Sequence, residues 1–162
     1  MLQVLVDWAV TTPLNAWVVN WNWTWVILEI LHFFGLSMLL GGLLVVDLRY
    51  IGFLKNIQPS AIRKIIVIVF IGFGINLITG ILFFFGDPGR YAINIGFQIK
   101  MALIILAGLN AMLFYYKIDS QIDRWRDADT PPKLAKFIAS TSLALWFSVL
   151  ICGRLIPYVG TG

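Results

Sequence analysis

Four long apolar segments constrain the fold of this chain more than any other feature. They cover roughly residues 22–46, 64–85, 95–116 and 134–157. A bilayer core is crossed by about 20 helical residues, so each segment is long enough for one transmembrane helix. The chain is also 60% hydrophobic, which is more apolar side chain than a soluble domain of 162 residues can bury. The sequence therefore predicts an all-α integral membrane protein, a single domain built as a four-transmembrane-helix bundle.

The positive charges of the loops predict how this bundle lies in the membrane. The segment before the first span has no lysine or arginine, and only Arg90 lies between the second and third spans. The loops at 47–63 and 117–133, with the residues just beyond them, hold most of the other cations: Arg49, Lys55, Arg63, Lys64, Lys117, Arg124, Arg126, Lys133 and Lys136. The positive-inside rule places these two loops in the cytoplasm and both the N-terminus and the C-terminus outside.

The segment before the first span is predicted to lie in the outer membrane interface. Residues 2–20 are too few to span, and Pro13 interrupts them. Tryptophans cluster around the start of the first span, as in the aromatic belt of a membrane interface. They are Trp17, Trp21, Trp23 and Trp25.

Composition limits the partners and sites that the chain can have. A single cysteine, Cys152, excludes an internal disulfide and a metal site made of several cysteines. The net charge of +4 comes from basic residues spread over the loops, so no nucleic-acid partner is predicted. The predicted partner is the lipid bilayer.

Ionisable and polar residues inside the spans are the candidates for function, because each is costly in hydrocarbon and normally faces the bundle interior. Glu29 and His32, the only histidine, lie three residues apart and so share one face of the first helix. A helix rises about 1.5 Å per residue, and by this count each of the four spans has a polar residue in the outer half of the membrane. Besides Glu29 and His32, these residues are Asn76, Thr79, Lys100 and Arg154. We expect Glu29 to pair with Lys100 or Arg154.

Other polar and small residues are predicted to hold the helices together. Asp47 and Arg49 suggest a helix cap or an ion pair at the end of the first span, and Asn110 suggests a bond between helices. Small residues spaced four apart allow close helix contacts, either within the bundle or between subunits. They form three faces: Ser37/Gly41, Gly72/Asn76/Gly80 and Ala107/Ala111.

Several motifs resemble an uncharacterised family of small bacterial four-span membrane proteins. The main one is Glu29-Ile-Leu-His32-Phe-Phe-Gly35, followed by Gly41-Gly42 and Asp47-Leu48-Arg49. The similarity extends to Thr12-Pro13-Leu14, Phe97-Gln-Ile-Lys100, Asn110 and Gly153-Arg154-Leu-Ile-Pro-Tyr158. The resemblance implies a multi-pass protein of the bacterial inner membrane.

A more distant resemblance concerns the layout of the site. A histidine in the first span and a lysine in the third are similar to the CopD-type copper-resistance domain and to the related membrane protoporphyrinogen oxidases, which bind haem through a histidine. With His32 as the only histidine, ligation of one haem by two histidines within one subunit is excluded.

The leading hypothesis for the site is a b-type haem with a role in electron transfer, which implies a redox partner. Haem iron accepts a single proximal histidine, here His32, and Glu29 would orient its ring. Lys100 and Arg154 would pair with the propionates. Asn76 completes the predicted cofactor-binding set.

Three alternatives remain open at this stage. A copper or divalent-metal site would use His32 and Glu29 and recruit Met38, Met101 or a second subunit. A transporter or channel for protons, ions or small solutes would need a homo-oligomer to enclose a pathway. A structural accessory subunit would bind no cofactor. No residue is predicted to be catalytic.

Overall fold

The computed structural model describes residues 2–117 and 131–159. These residues form helices and no strands, in the order α1 (Leu2–Val10), α2 (Pro13–Asn20), α3 (Thr24–Ile51), α4 (Pro59–Gly86), α5 (Pro88–Ile93), α6 (Ile95–Lys117) and α7 (Lys133–Leu155). Helices α3, α4, α6 and α7 are long and apolar enough to cross a membrane, which confirms the predicted all-α fold with four spans. Most of the third loop, including Arg124 and Arg126, lies outside the described residues.

The four spanning helices pack around α3 and α7. Helix α3 packs along both α4 and α7, and α6 packs along α7, whereas α4 and α6 make no extensive contact. Aromatic side chains connect α4 and α6 where their backbones are apart. Phe84 of α4 stacks on Phe97 of α6 with ring centroids 6.0 Å apart. Asn110 of α6 donates a hydrogen bond to the carbonyl oxygen of Ile138 on α7 at 3.1 Å, which confirms its predicted role between helices.

The short helices α1, α2 and α5 gather at one end of the bundle, which we call the capped end. Helix α1 packs on α5, and α2 packs on α4. Asn15 donates to the carbonyl oxygen of Phe85 at 2.7 Å, while buried Asn94 donates to that of Ile156 at 2.8 Å. The first and last described segments therefore lie at the same end, as an even number of spans requires. The opposite end, which holds the loop at 52–58, is called the open end.

The N-terminal segment folds into two helices because Pro13 starts a new one instead of ending the structure. Proline suits the first turn of a helix, where its missing N–H would have no partner. Thr12 caps α2 by accepting a hydrogen bond from the backbone N–H of Asn15 at 3.3 Å. Ala9 and Val18 are buried by this arrangement.

The first span is longer than predicted at its open end. Helix α3 continues through Asp47 to Ile51 and ends at Gly52, whose φ of 110° is the left-handed conformation typical of a glycine cap. The last turn is helical because Val46, Asp47 and Tyr50 are buried. Arg49 lies in the last turn of α3, as predicted, and its Nε donates to the carbonyl oxygen of Ile57 at 2.6 Å, but among the described residues neither Asp47 nor Arg49 forms the predicted ion pair.

Glycines bring the backbones of α3 and α4 into direct contact. A Cβ on Gly72 would lie 2.7 Å from the carbonyl oxygen of Gly35, and a Cβ on Gly42 would lie 2.5 Å from Val69 Cγ2. Such close approach is how helices gain packing energy where hydrocarbon surrounds them. The predicted Gly72/Asn76 face is thus used, but Ser37 and Gly41 are exposed and Gly35 and Gly42 take their place.

Candidate functional site

His32 lies on the side of α3 that faces α4, near the capped end, and is half-buried. Its Nδ1 is 2.7 Å from Oγ1 of Thr79 on α4. The ring of Phe83, one turn further along α4, meets the imidazole edge-on with centroids 5.4 Å apart. One hydrogen bond and one aromatic wall therefore hold the imidazole against α4.

The hydrogen bonds of Thr79 favour one of the two neutral tautomers of His32. A hydroxyl has one proton, and Thr79 Oγ1 lies 2.7 Å from the carbonyl oxygen of Ile75, to which it donates. This donation leaves an Oγ1 lone pair for His32, which favours the tautomer in which Nδ1–H donates to Thr79. In that tautomer Nε2 carries the lone pair. A histidine whose Nδ1–H is held in this way is the usual form of a metal-ligating imidazole.

Lys100 of α6 supplies a positive charge at about the same depth in the bundle as His32. Its ammonium group lies along Gly153 of α7, where an added Cβ would be 3.4 Å from Nζ. It is also close enough for its charge to act on the imidazole of His32. Among the described residues Lys100 has no hydrogen-bond or ion-pair partner. We call His32, Thr79, Phe83, Lys100 and Gly153 the four-helix site, because each spanning helix contributes to it.

Glu29 does not take part in the expected pairing. Its side chain is exposed and accepts a hydrogen bond from Nε1 of Trp25, one turn earlier on α3, at 3.2 Å. The described residues contain no ion pair between Glu29 and Lys100 or Arg154. The charge of Glu29 acts weakly on Tyr91 of α5: burial raises the pKa of Tyr91, Arg90 opposes that rise, and Asp87 and then Glu29 add to it.

Arg154 and Asn76 are placed outside the four-helix site. Arg154 is exposed at the end of α7, where it donates to Tyr158 Oη at 3.3 Å and covers the ring of that tyrosine. Asn76 donates to the carbonyl oxygen of Gly72 within its own helix at 3.0 Å and packs against Gly35. No described hydrogen bond joins either side chain to His32, and their predicted contacts with a cofactor stay predictions.

Two residues of the four-helix site are not polar and could not be recognised as site residues from the sequence. Phe83 is one aromatic residue among several at the end of α4, and Gly153 is one of 14 glycines. Thr79 is recognisable as a polar residue at the depth of His32, but its role in setting the tautomer is visible only from the distances. Helix rotation determines all three contacts, and the sequence does not specify that rotation.

The side chains near His32 do not form a metal-binding cluster of the common kind. The described residues contain no group of three or more His, Cys, Asp or Glu side chains placed to hold one ion. The predicted pair of His32 and Glu29 is divided, because His32 bonds to α4 and Glu29 bonds to Trp25 on its own helix. Comparison of the chain with protein-family models, with curated proteins and with solved structures finds no significant match.

Proposed function

We propose that this multi-pass membrane protein binds one haem b per chain, which Nε2 of His32 would hold. The observation that carries the proposal is the chain of hydrogen bonds from His32 Nδ1 to Thr79 Oγ1 and on to the carbonyl oxygen of Ile75. It leaves the lone pair of Nε2 free and holds the ring in one orientation. Thr79 takes the orienting role that the sequence had suggested for Glu29.

The positive charge of Lys100 could pair with a propionate group of the haem. A buried ammonium without a counter-ion is costly in a membrane interior, and a propionate would supply the missing negative charge. Lys100 reaches the interior along Gly153, whereas Arg154 stays exposed beside Tyr158. We therefore assign the propionate contact to Lys100 and leave Arg154 out of the cofactor site.

Electron transfer is the role we propose for the bound haem. Haem supplies one-electron chemistry, and this chain supplies the ligand, its orientation and an aromatic wall from Phe83. Because the chain has one histidine, a second histidine ligand to the same haem would have to come from a second copy in a homo-oligomer. The two family resemblances support a bacterial inner-membrane protein with a redox partner.

The first test is the absorption spectrum of protein purified after expression with ample haem and copper. We expect a Soret band at one haem per chain, with a shift on reduction. Stoichiometric copper without a chromophore would replace the proposal by the metal alternative. Absence of both would contradict it and leave the transport alternative in the lead.

A second test concerns orientation. We expect the capped end, with both termini, to face the outside and the open end to face the cytoplasm, because the basic loops are at the open end. In a Cys152→Ser background, Gly89→Cys at the capped end should react with an impermeant maleimide in intact cells. Lys55→Cys at the open end should react only after the cells are lysed. The opposite pattern would reverse the orientation.

A further inference from the structure

Asp47 is a second buried ionisable residue, at the opposite end of α3 from the four-helix site. Its side chain is 4% exposed. It lies beside Val46 and Tyr50, which pack in the core cluster that includes Ile138 and Ala139 of α7. The carboxyl group is therefore surrounded mainly by apolar side chains.

The described residues offer the Asp47 carboxyl group few hydrogen bonds and no ion pair. The hydroxyl of Ser142 on α7 is its polar neighbour, and Oδ2 has no hydrogen-bond partner in the described part of the chain. The charged and titratable residues of this end lie on all four spanning helices. Among the described residues they are Arg49 and Tyr50 on α3, Arg63 and Lys64 on α4, Tyr115, Tyr116 and Lys117 on α6, and Lys133 and Lys136 on α7, with Lys55 in the loop between α3 and α4. Asp47 forms no ion pair with the cations among them.

An ionised carboxylate left in such surroundings would be strongly destabilising, because the apolar neighbours do not replace its lost hydration. Among the described residues no cation pairs with Asp47, so its charge must be neutralised in another way. The neutralising species has to be small, since the Asp47 side chain is only 4% exposed. A small monovalent cation satisfies both conditions.

We propose that Asp47, together with Ser142, is an intramembrane binding site for a proton. A proton needs one free carboxyl oxygen, and Oδ2, which has no hydrogen-bond partner among the described residues, provides it, while the Ser142 hydroxyl contacts the same carboxyl group. An alkali ion needs several oxygen ligands, which the apolar neighbours of Asp47 do not offer. The site lies near the open end of the bundle, so the proton would be exchanged from that side of the membrane. This site is independent of the haem proposal.

The test uses wild-type protein in liposomes and infrared spectroscopy, which detects the carbonyl stretch of a protonated carboxylic acid without a reagent having to reach the buried side chain. We expect such a band from Asp47, and we expect it to decrease as the pH is raised. Sodium ions should leave the band unchanged. Asp47→Asn should lose the band, and Asp87→Asn, which changes an interfacial capping carboxyl, should keep it.

The possible outcomes separate the proposal from its competitors. Absence of a protonated-carboxyl band in the wild-type protein would overturn the proton site, whether or not any variant folds. Loss of the band on addition of sodium ions would also overturn it, because an alkali ion would then be the occupant. Ser142→Ala should change the frequency or the pH dependence of the Asp47 band, and an unchanged band would remove Ser142 from the site.

Discussion

Replacement of His32 by alanine is expected to abolish haem retention while the bundle still inserts into the membrane. The variant loses the axial ligand, but the first span stays long and apolar without a costly polar side chain. The measurement is the ratio of Soret absorbance to protein, alongside the amount of protein in the membrane fraction. Full haem content in His32→Ala would contradict the assignment of the ligand.

Variants of Thr79 should weaken haem binding to different degrees without abolishing it. Thr79→Val keeps the shape and removes the hydrogen-bond acceptor of His32 Nδ1, and loss of such a partner typically weakens binding about 10-fold to 100-fold. Thr79→Ser keeps the hydroxyl and should retain near wild-type affinity. Equal binding by Val and Ser variants would show that the hydrogen bond does not orient the ligand.

The two cations near the capped end, Lys100 and Arg154, provide a matched pair of variants for testing the propionate contact. Lys100→Met should weaken haem binding, because it removes the interior ammonium while keeping a long apolar side chain. Arg154→Met should bind haem like the wild type, since its guanidinium lies over Tyr158. Haem titration of both variants in detergent makes the comparison, and a larger loss with Arg154→Met would reverse our assignment.

Gly72→Ala is expected to cause the largest loss of stability among single methyl additions to α4. The new Cβ would lie 2.7 Å from both the Gly35 carbonyl oxygen and the Leu39 backbone nitrogen. Backbone atoms cannot move aside as a side chain does, so α3 and α4 must separate. We expect a destabilisation of about 1–3 kcal/mol, the usual cost of overpacking a close contact.

The matched control lies two residues away. Gly74 is on the same helix and has open space where a Cβ would be added, so Gly74→Ala should leave stability unchanged or raise it slightly through helix propensity. Unfolding of both variants in mixed detergent micelles measures the difference. Equal stabilities for the two would show that the Gly35–Gly72 contact does not hold α3 against α4.

The sequence by itself determined that the chain has four spanning helices and approximately where each one lies. Length and hydropathy decide this, because a helix in hydrocarbon needs about 20 apolar residues whatever its neighbours are. It also indicated the depth of His32, Thr79 and Lys100, since rise per residue is constant. Pro13 and Gly52 mark local boundaries through backbone restrictions alone.

Only the tertiary structure decided which side chains meet. Lipid and the bundle interior are equally apolar, so the spans carry little hydrophobic periodicity to show which face turns inward. Glu29 and His32 share a helix face by spacing, yet His32 bonds to Thr79 on α4 and Glu29 bonds to Trp25. Asp47, expected at a helix end, is buried because α3 continues to pack beyond it. These outcomes depend on helix rotation within about one residue, which is set by contacts such as Gly35 against Gly72.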